Sequence, residues 1–195
     1  MTPFQEKKFE VPELKGISKK QIEEHLKLYS GYVKHSNLIL EKIEELSKDS
    51  EKNAYLLGEI QRRFGFEFGG MRNHEYYFSA LLSGTNKIAN DGPLFKQIEK
   101  DFGSFDAWLT RFKAIAMTRG IGWATLYYDT KEKRLLNAWF DEQHLGQLAG
   151  CKIILPLDMW EHSYLIDYIP ADKKKYIEAF FENLNWKEIE KNFLE

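Results

Sequence analysis

CKIILPLDMWEHSYLIDY, residues 151–168, decides how the chain is read. Its first half is a near-continuous apolar run that ends in an aspartate, Asp158. A run of this kind reads as a buried strand at the centre of a sheet. Four residues further on comes His162, between Trp160 and Tyr164 and close to Leu157, Met159 and Leu165. Asp158, Glu161 and His162 are costly to bury alone, and a metal ion or a hydrogen-bonded network would satisfy them.

Working outward, IGWATLYYD (121–129) and RLLNAWFD (134–141) read as two more strands, and the polar turn between them indicates an antiparallel hairpin. Before the strands the period changes. Residues 1–16 read as an extended arm, and Ser18 is placed to cap a long helix. Ile22, Leu26, Tyr29, Val33, Leu40 and Ile43 recur at helical spacing as far as about residue 47. A second helical segment, from about 50 to 82, puts Met71, His74, Phe78 and Leu81 on one face, with a candidate break at the glycines of GFEFGG. Together they make a helical hairpin. SGTNKIANDGP (83–93) is the boundary signal, which divides the chain into an N-terminal helical hairpin domain, 1–88, and a C-terminal α/β domain, 89–195. Two short helices, about 93–101 and 104–118, precede the strands, and helical patterning returns at about 172–192. The fold class is therefore α+β, a helical hairpin followed by an α/β half with a three-stranded antiparallel sheet.

The 195 residues carry 28 basic and 30 acidic side chains, for a formal net charge of −2. That balance gives no polyanion-binding surface, so no nucleic-acid partner is expected. The single cysteine, Cys151, cannot form an intrachain disulfide and reads as a small buried hydrophobe. No apolar stretch approaches the ~18 residues of a membrane span, and MTPFQEKKFEVPEL lacks the apolar core of a secretory signal. No membrane partner is expected, and the cytoplasm is the default location.

The histidines stand at 25, 35, 74, 144 and 162. His25 shares a helix face with Tyr29 and Tyr32. His74 lies on the apolar face of the second helix, and His162 follows the buried strand. Each alone reads as a satisfied core residue. With Asp158 they form a possible set of three nitrogens and one oxygen, which suits iron, manganese or zinc. His35, between Lys34 and Ser36 on another face, reads as solvated. The chain order permits the four groups to converge; spacing alone does not establish it.

DMWEHSYLIDY resembles the D-x-W-E-H-A-Y-Y signature of the iron and manganese superoxide dismutases. ISKKQIEEH (17–25), GGMRNHEYYF (69–78), RGIGWATL (119–126) and NLNWKEIEKNF (183–193) resemble further segments of that family, in order, along nearly the whole chain. The resemblance implies that His25, His74, Asp158 and His162 hold one manganese or iron ion per subunit, with a solvent molecule as fifth ligand. The implied reaction is dismutation of the superoxide anion to oxygen and hydrogen peroxide. It also implies a catalytic role for Tyr32. The family's tyrosine follows the first ligand by eight residues and Tyr32 by seven, a difference that a local helical irregularity would absorb.

For the residue that touches the bound solvent the resemblance leaves His144 and Gln143, with His144 preferred. Trp123 and Trp160 would wall the pocket. Glu161 would reach His162 of the partner subunit, which implies a homodimer or homotetramer. Two positions depart together: Tyr29 and Leu165 stand where the family has a histidine and a tyrosine that meet across the interface, and Tyr29 could supply a hydroxyl in its place. Pro156 occupies a position thought to influence metal preference. The usual arginine after the final motif is absent, and Lys173, Lys174 and Lys175 stand nearby. The alternatives are a metal-binding homologue with weak or altered activity, a hydrolytic zinc site, against which four protein ligands argue, and a helical interaction protein.

Overall fold

The structure is a computed structural model and describes residues 2–195. Ser18 is extended and its side chain accepts a hydrogen bond from the backbone N–H of Gln21, which starts α1 (Lys19–Leu46). A turn over 47–53 leads into α2 (Ala54–Ser79), and the two helices pack as a hairpin. The arm before α1 is extended and anchored. Phe4 and Asn37 exchange two hydrogen bonds, and Phe9 lies against Tyr29 and Phe78.

α2 runs unbroken through GFEFGG, contrary to the sequence expectation. Gly69 and Gly70 are helical residues kept small by their neighbours. A Cβ on Gly70 would lie 2.5 Å from the Tyr32 ring, and one on Gly69 would press into the backbone of Gln143. Low helix propensity is all that a sequence window registers of them.

Gly92 and Pro93 open α3 (Pro93–Phe102), and Gly103, at φ 89°, ends it. Ser104 then caps α4 (Phe105–Ala116). The strands are β1 (Gly122–Asp129), β2 (Arg134–Asp141) and β3 (Cys151–Asp158), all antiparallel, in the order β2-β1-β3. β1 is therefore central and β3 is an edge strand, which corrects the reading of the apolar run. That run is buried by helices: α2 and α6 (Trp186–Leu194) pack against β3. Pro156 carries the edge signature, since proline has no N–H to give a second neighbour. Cys151, at the start of this edge, is half-buried and not fully buried.

α5 (Lys173–Glu182) is joined to α6 by Asn183-Leu184-Asn185. Asn185 caps α6 and its amide donates to the carbonyl of Leu82, while Asn183 exchanges hydrogen bonds with the backbone of Lys15. These contacts tie the C-terminal helices to the hairpin and the arm. The core runs continuously from Tyr29 and Phe78 through Trp123 to Tyr176 and Phe180. The expected boundary at residue 88 falls in the non-helical segment between α2 and α3. Among the described residues, no helix is long and apolar enough to cross a membrane.

Candidate metal centre

The hairpin and the end of β3 converge on one point. His25 comes from α1, His74 from α2 and Asp158 from the last position of β3, paired in the sheet with Trp123. His162 stands in the short turn Glu161–Ser163. His25, His74 and Asp158 are fully buried, while the side chain of His162 keeps 19% exposure. One ligand atom from each lies within 4.8 Å of all the others. Nε2 of His25 and Nε2 of His162 are each 3.1 Å from Oδ2 of Asp158, and Nε2 of His74 is 3.5 Å from the same oxygen.

Three of the four groups are held from behind, while Nδ1 of His25 is buried without a hydrogen-bond partner among the described residues. Nδ1 of His74 lies 2.6 Å from the carbonyl oxygen of Gly70, one turn earlier. That carbonyl takes the Nδ1 hydrogen, so the Nε2 lone pair faces the cluster. Oδ1 of Asp158 accepts from the N–H of Trp160 at 2.8 Å, and its carbonyl accepts from the hydroxyls of Ser163 and Tyr176. The amide of Gln21 donates to the carbonyl of His162 at 2.6 Å and pins that turn to α1.

Burial pushes the imidazoles of His25 and His74 down, His74 to about 3, so both are neutral. Burial alone would raise Asp158. The attraction of His162 and the hydrogen bonds from His162 and His25 outweigh it and hold the carboxyl below the usual range. The result is one carboxylate facing the neutral imidazoles of His25 and His74. Nε2 of His74 is buried and has no hydrogen-bond partner among the described residues. A cation would satisfy it, and this nitrogen and oxygen set fits iron or manganese.

A second layer closes over the cluster. Gln143 is buried; its Oε1 accepts from Trp123 Nε1 at 3.0 Å, and its Nε2 donates to the Tyr32 hydroxyl at 3.1 Å. Tyr32 lies two turns beyond His25, on the same face of an uninterrupted α1, so the expected irregularity is not needed. Its ring centre is 5.1 Å from that of His74. Burial, followed by the charges of Asp158 and Glu67, raises its hydroxyl above the ordinary tyrosine value. Trp123 stands 5.1 Å from His74, and Trp160 stacks on His162 at 5.5 Å. The indole N–H of Trp160 donates to the carbonyl of Glu142.

Of the two neighbours, Gln143 and not His144 bonds to Tyr32 and Trp123. His144 packs beside Gly65 and edge-on to Phe66, outside the Tyr32–Trp123 network. Glu142 is in the left-handed region at φ 52°, and Gln143 follows it with its carbonyl bonded to the amide of Asn73. Which of two neighbours turns inward depends on that seat, which spacing does not reveal.

Tyr29 is also corrected. Its hydroxyl accepts the backbone N–H of Lys7 at 2.9 Å and reaches Glu75, so it is committed to the arm, and burial raises it to about 12. His35 is exposed, as its polar neighbours suggest. Lys173 bonds the carbonyl of Thr118 and Lys175 pairs with Asp172, both at the start of α5. Sequence reasoning missed Gln21, Phe66, Asn73 and Tyr176. Gln21, one turn before His25, carried the clearest signal, a polar residue at a buried helix position.

Residues 90–192 match the family model described as iron/manganese superoxide dismutases, C-terminal domain. A superoxide dismutase of the iron type from Cupriavidus metallidurans is 36% identical over 181 residues, 91% of this chain and 89% of that protein. One from Methanothermobacter thermautotrophicus, also named for iron, is 32% identical over 205 residues, 99% of this chain and 98% of its own. A relative from Mycobacterium lepraemurium, named for manganese, is 35% identical over 171 residues, covering 87% of this chain and 80% of that protein.

Proposed function

The chain belongs to the iron/manganese superoxide dismutase family, and on that premise we propose how its own residues divide the work. It is an oxidoreductase that converts superoxide to oxygen and hydrogen peroxide with one iron or manganese ion. When bound, the ion supplies the one-electron couple that one superoxide reduces and the next reoxidises. Nε2 of His25, His74 and His162 and Oδ2 of Asp158 are its protein ligands. The observation that carries this assignment is the convergence of those atoms within 4.8 Å around an unpartnered, buried Nε2 of His74.

Gln143 and Tyr32 manage the proton. Both ends of the Gln143 amide are engaged, by Trp123 and by Tyr32, so its orientation is fixed. The hydrogen of the Tyr32 hydroxyl has no acceptor among the described residues, and it is the one offered to a substrate oxygen. Trp123, Trp160 and Phe66 exclude bulk water around them.

The proposed assembly is a homodimer or homotetramer through the face beside His162. A groove of about 670 Å³ there is lined by Leu28, Glu161, His162, Leu165 and Ile166. Its leucines and isoleucine are 41–48% exposed, a contiguous apolar patch of the sort a second subunit covers. Glu161 lies on this face, where it would reach His162 of the partner subunit. The start of the family match at residue 90 supports the two-domain division at 88/89. The single cysteine suits the cytoplasmic location that the reading adopts.

The test is to strip the purified protein of metal and reload it separately with manganese and with iron. Metal content and superoxide dismutation are measured in each sample. Activity that rises in proportion to one bound ion per chain, with at least one metal, is expected. Full loading without dismutation in either sample would overturn the catalytic assignment.

A further inference from the structure

We infer that Gly69, together with Asn73 one turn along α2, is a positioning residue for the reaction: the two set how far Gln143 reaches toward Tyr32. The inference rests on the role proposed above for Gln143. Gly69 and Asn73 stand at i and i+4, hence on one helix face, and the backbone of Gln143 is seated across both. A Cβ on Gly69 would lie 3.1 Å from the carbonyl carbon of Gln143 and still closer to its oxygen, more than ~1 Å inside van der Waals separation. The obstructing atoms are backbone, so a flexible side chain cannot simply swing away.

Asn73 grips the same carbonyl. Its Nδ2 donates to the Gln143 oxygen at 2.9 Å, while Gln147 donates to that oxygen at 3.3 Å and to Asn73 Oδ1 at 3.1 Å. Gln143 is thus held at two ends, its backbone in a notch on α2 and its amide between Trp123 and Tyr32. The hydrogen bond to Tyr32 is 3.1 Å long. Lifting the backbone by a side chain at Gly69 would stretch that bond past ordinary hydrogen-bond length. Gly58, on the same helix, has nothing within 4 Å of the place where its Cβ would stand. Gly65 and Gly70 face the side chains of His144 and Tyr32, so among the α2 glycines it is Gly69 that faces the backbone of Gln143. A group that orients the solvent on a redox metal tunes the metal's potential, so the depth of Gln143 is readable as a potential.

The experiment compares Gly69→Ala, Gln143→Ala, the double variant and Gly58→Ala as metal-loaded proteins. Metal content, the midpoint potential of the bound ion and kcat are recorded for each. Gly58→Ala is expected to match the parent in all three. Gly69→Ala is expected to keep one ion per chain, to move the potential in the same direction as Gln143→Ala, and to lower kcat about 10-fold or more. The double variant is expected to equal Gln143→Ala alone, because a positioning residue has nothing left to position.

Additive effects in the double variant, or a parental potential in Gly69→Ala, would overturn the inference while leaving the role of Gln143 intact. If Gln143→Ala itself moves neither potential nor kcat, the role of Gln143 fails and the inference fails with it. Should Gly69→Ala not fold, Asn73→Ala removes the other half of the seat without a clash and is held to the same comparison.

Discussion

Asp158 is a carboxylate that burial would neutralise and that His25 and His162 keep ionised. The three imidazoles around it are useful as ligands only while they are neutral. This has a consequence for the metal-free protein. In the unfolded chain His74 takes up a proton near its ordinary value of 6.5, but in the native protein it does so only near 3. Between those values the unfolded state binds the extra proton, so His74 progressively lowers native stability as pH drops from about 6.5 toward 3. Denaturant midpoints of metal-free protein at pH 7.5 and about 5.5 check this; the lower-pH midpoint is expected to be the smaller, and a His74→Gln variant is expected to lose part of the difference. A flat profile would show that His74 is not held neutral by burial. At the same scale, Tyr32→Phe is expected to retain its metal and lose kcat by ~10-fold or more, measured on samples matched for metal content. The four proposed ligands were named in the sequence through the family resemblance; their own positions on apolar faces only permitted convergence. The places of Gln143 and Tyr29 were not legible there, since each depends on a contact with a distant segment: Gln143 with Asn73, and Tyr29 with Lys7 of the arm.

Elements matter here as carriers of these side chains. α1 begins at Ser18, and its first turn holds Gln21, which bonds both the carbonyl of His162 and the N–H of Ile166. Ser18→Ala removes the cap and is expected to cost about 1 kcal/mol of stability, measured by denaturant unfolding, with dismutation per bound metal retained. α2 carries the opposite lesson. Gly70→Ala would gain about 0.5–1 kcal/mol of helix propensity, yet its Cβ would meet the Tyr32 ring at 2.5 Å. The clash is expected to win, giving a lower thermal midpoint than the parent. Helix periods and strand runs were readable because they are local. The continuity of α2 and the edge position of β3 were not, because both are decided by what packs alongside. Pro156 was the one local residue that marked the edge, and its meaning emerges only once the strand order is known.

At the scale of the molecule, a single core links the hairpin to the sheet and the C-terminal helices, so the ligand-bearing elements cannot move independently. Beside His162, Leu28, Leu165 and Ile166 are exposed and line one groove. Leu165→Lys places a charge in that patch and is expected to shift the protein toward monomer in sedimentation velocity; an unchanged assembly would put the interface elsewhere. The family motif pointed to a second subunit, but the apolar character of the face became visible only with the fold. The central claim is that His25, His74, Asp158 and His162 share one ion. A crystal structure of the protein loaded with manganese, with anomalous scattering collected at the metal edge, tests it most directly. The expected result is one strong anomalous peak per chain, bonded to all four side chains. A peak elsewhere, or one that leaves any of the four uncoordinated, would contradict it.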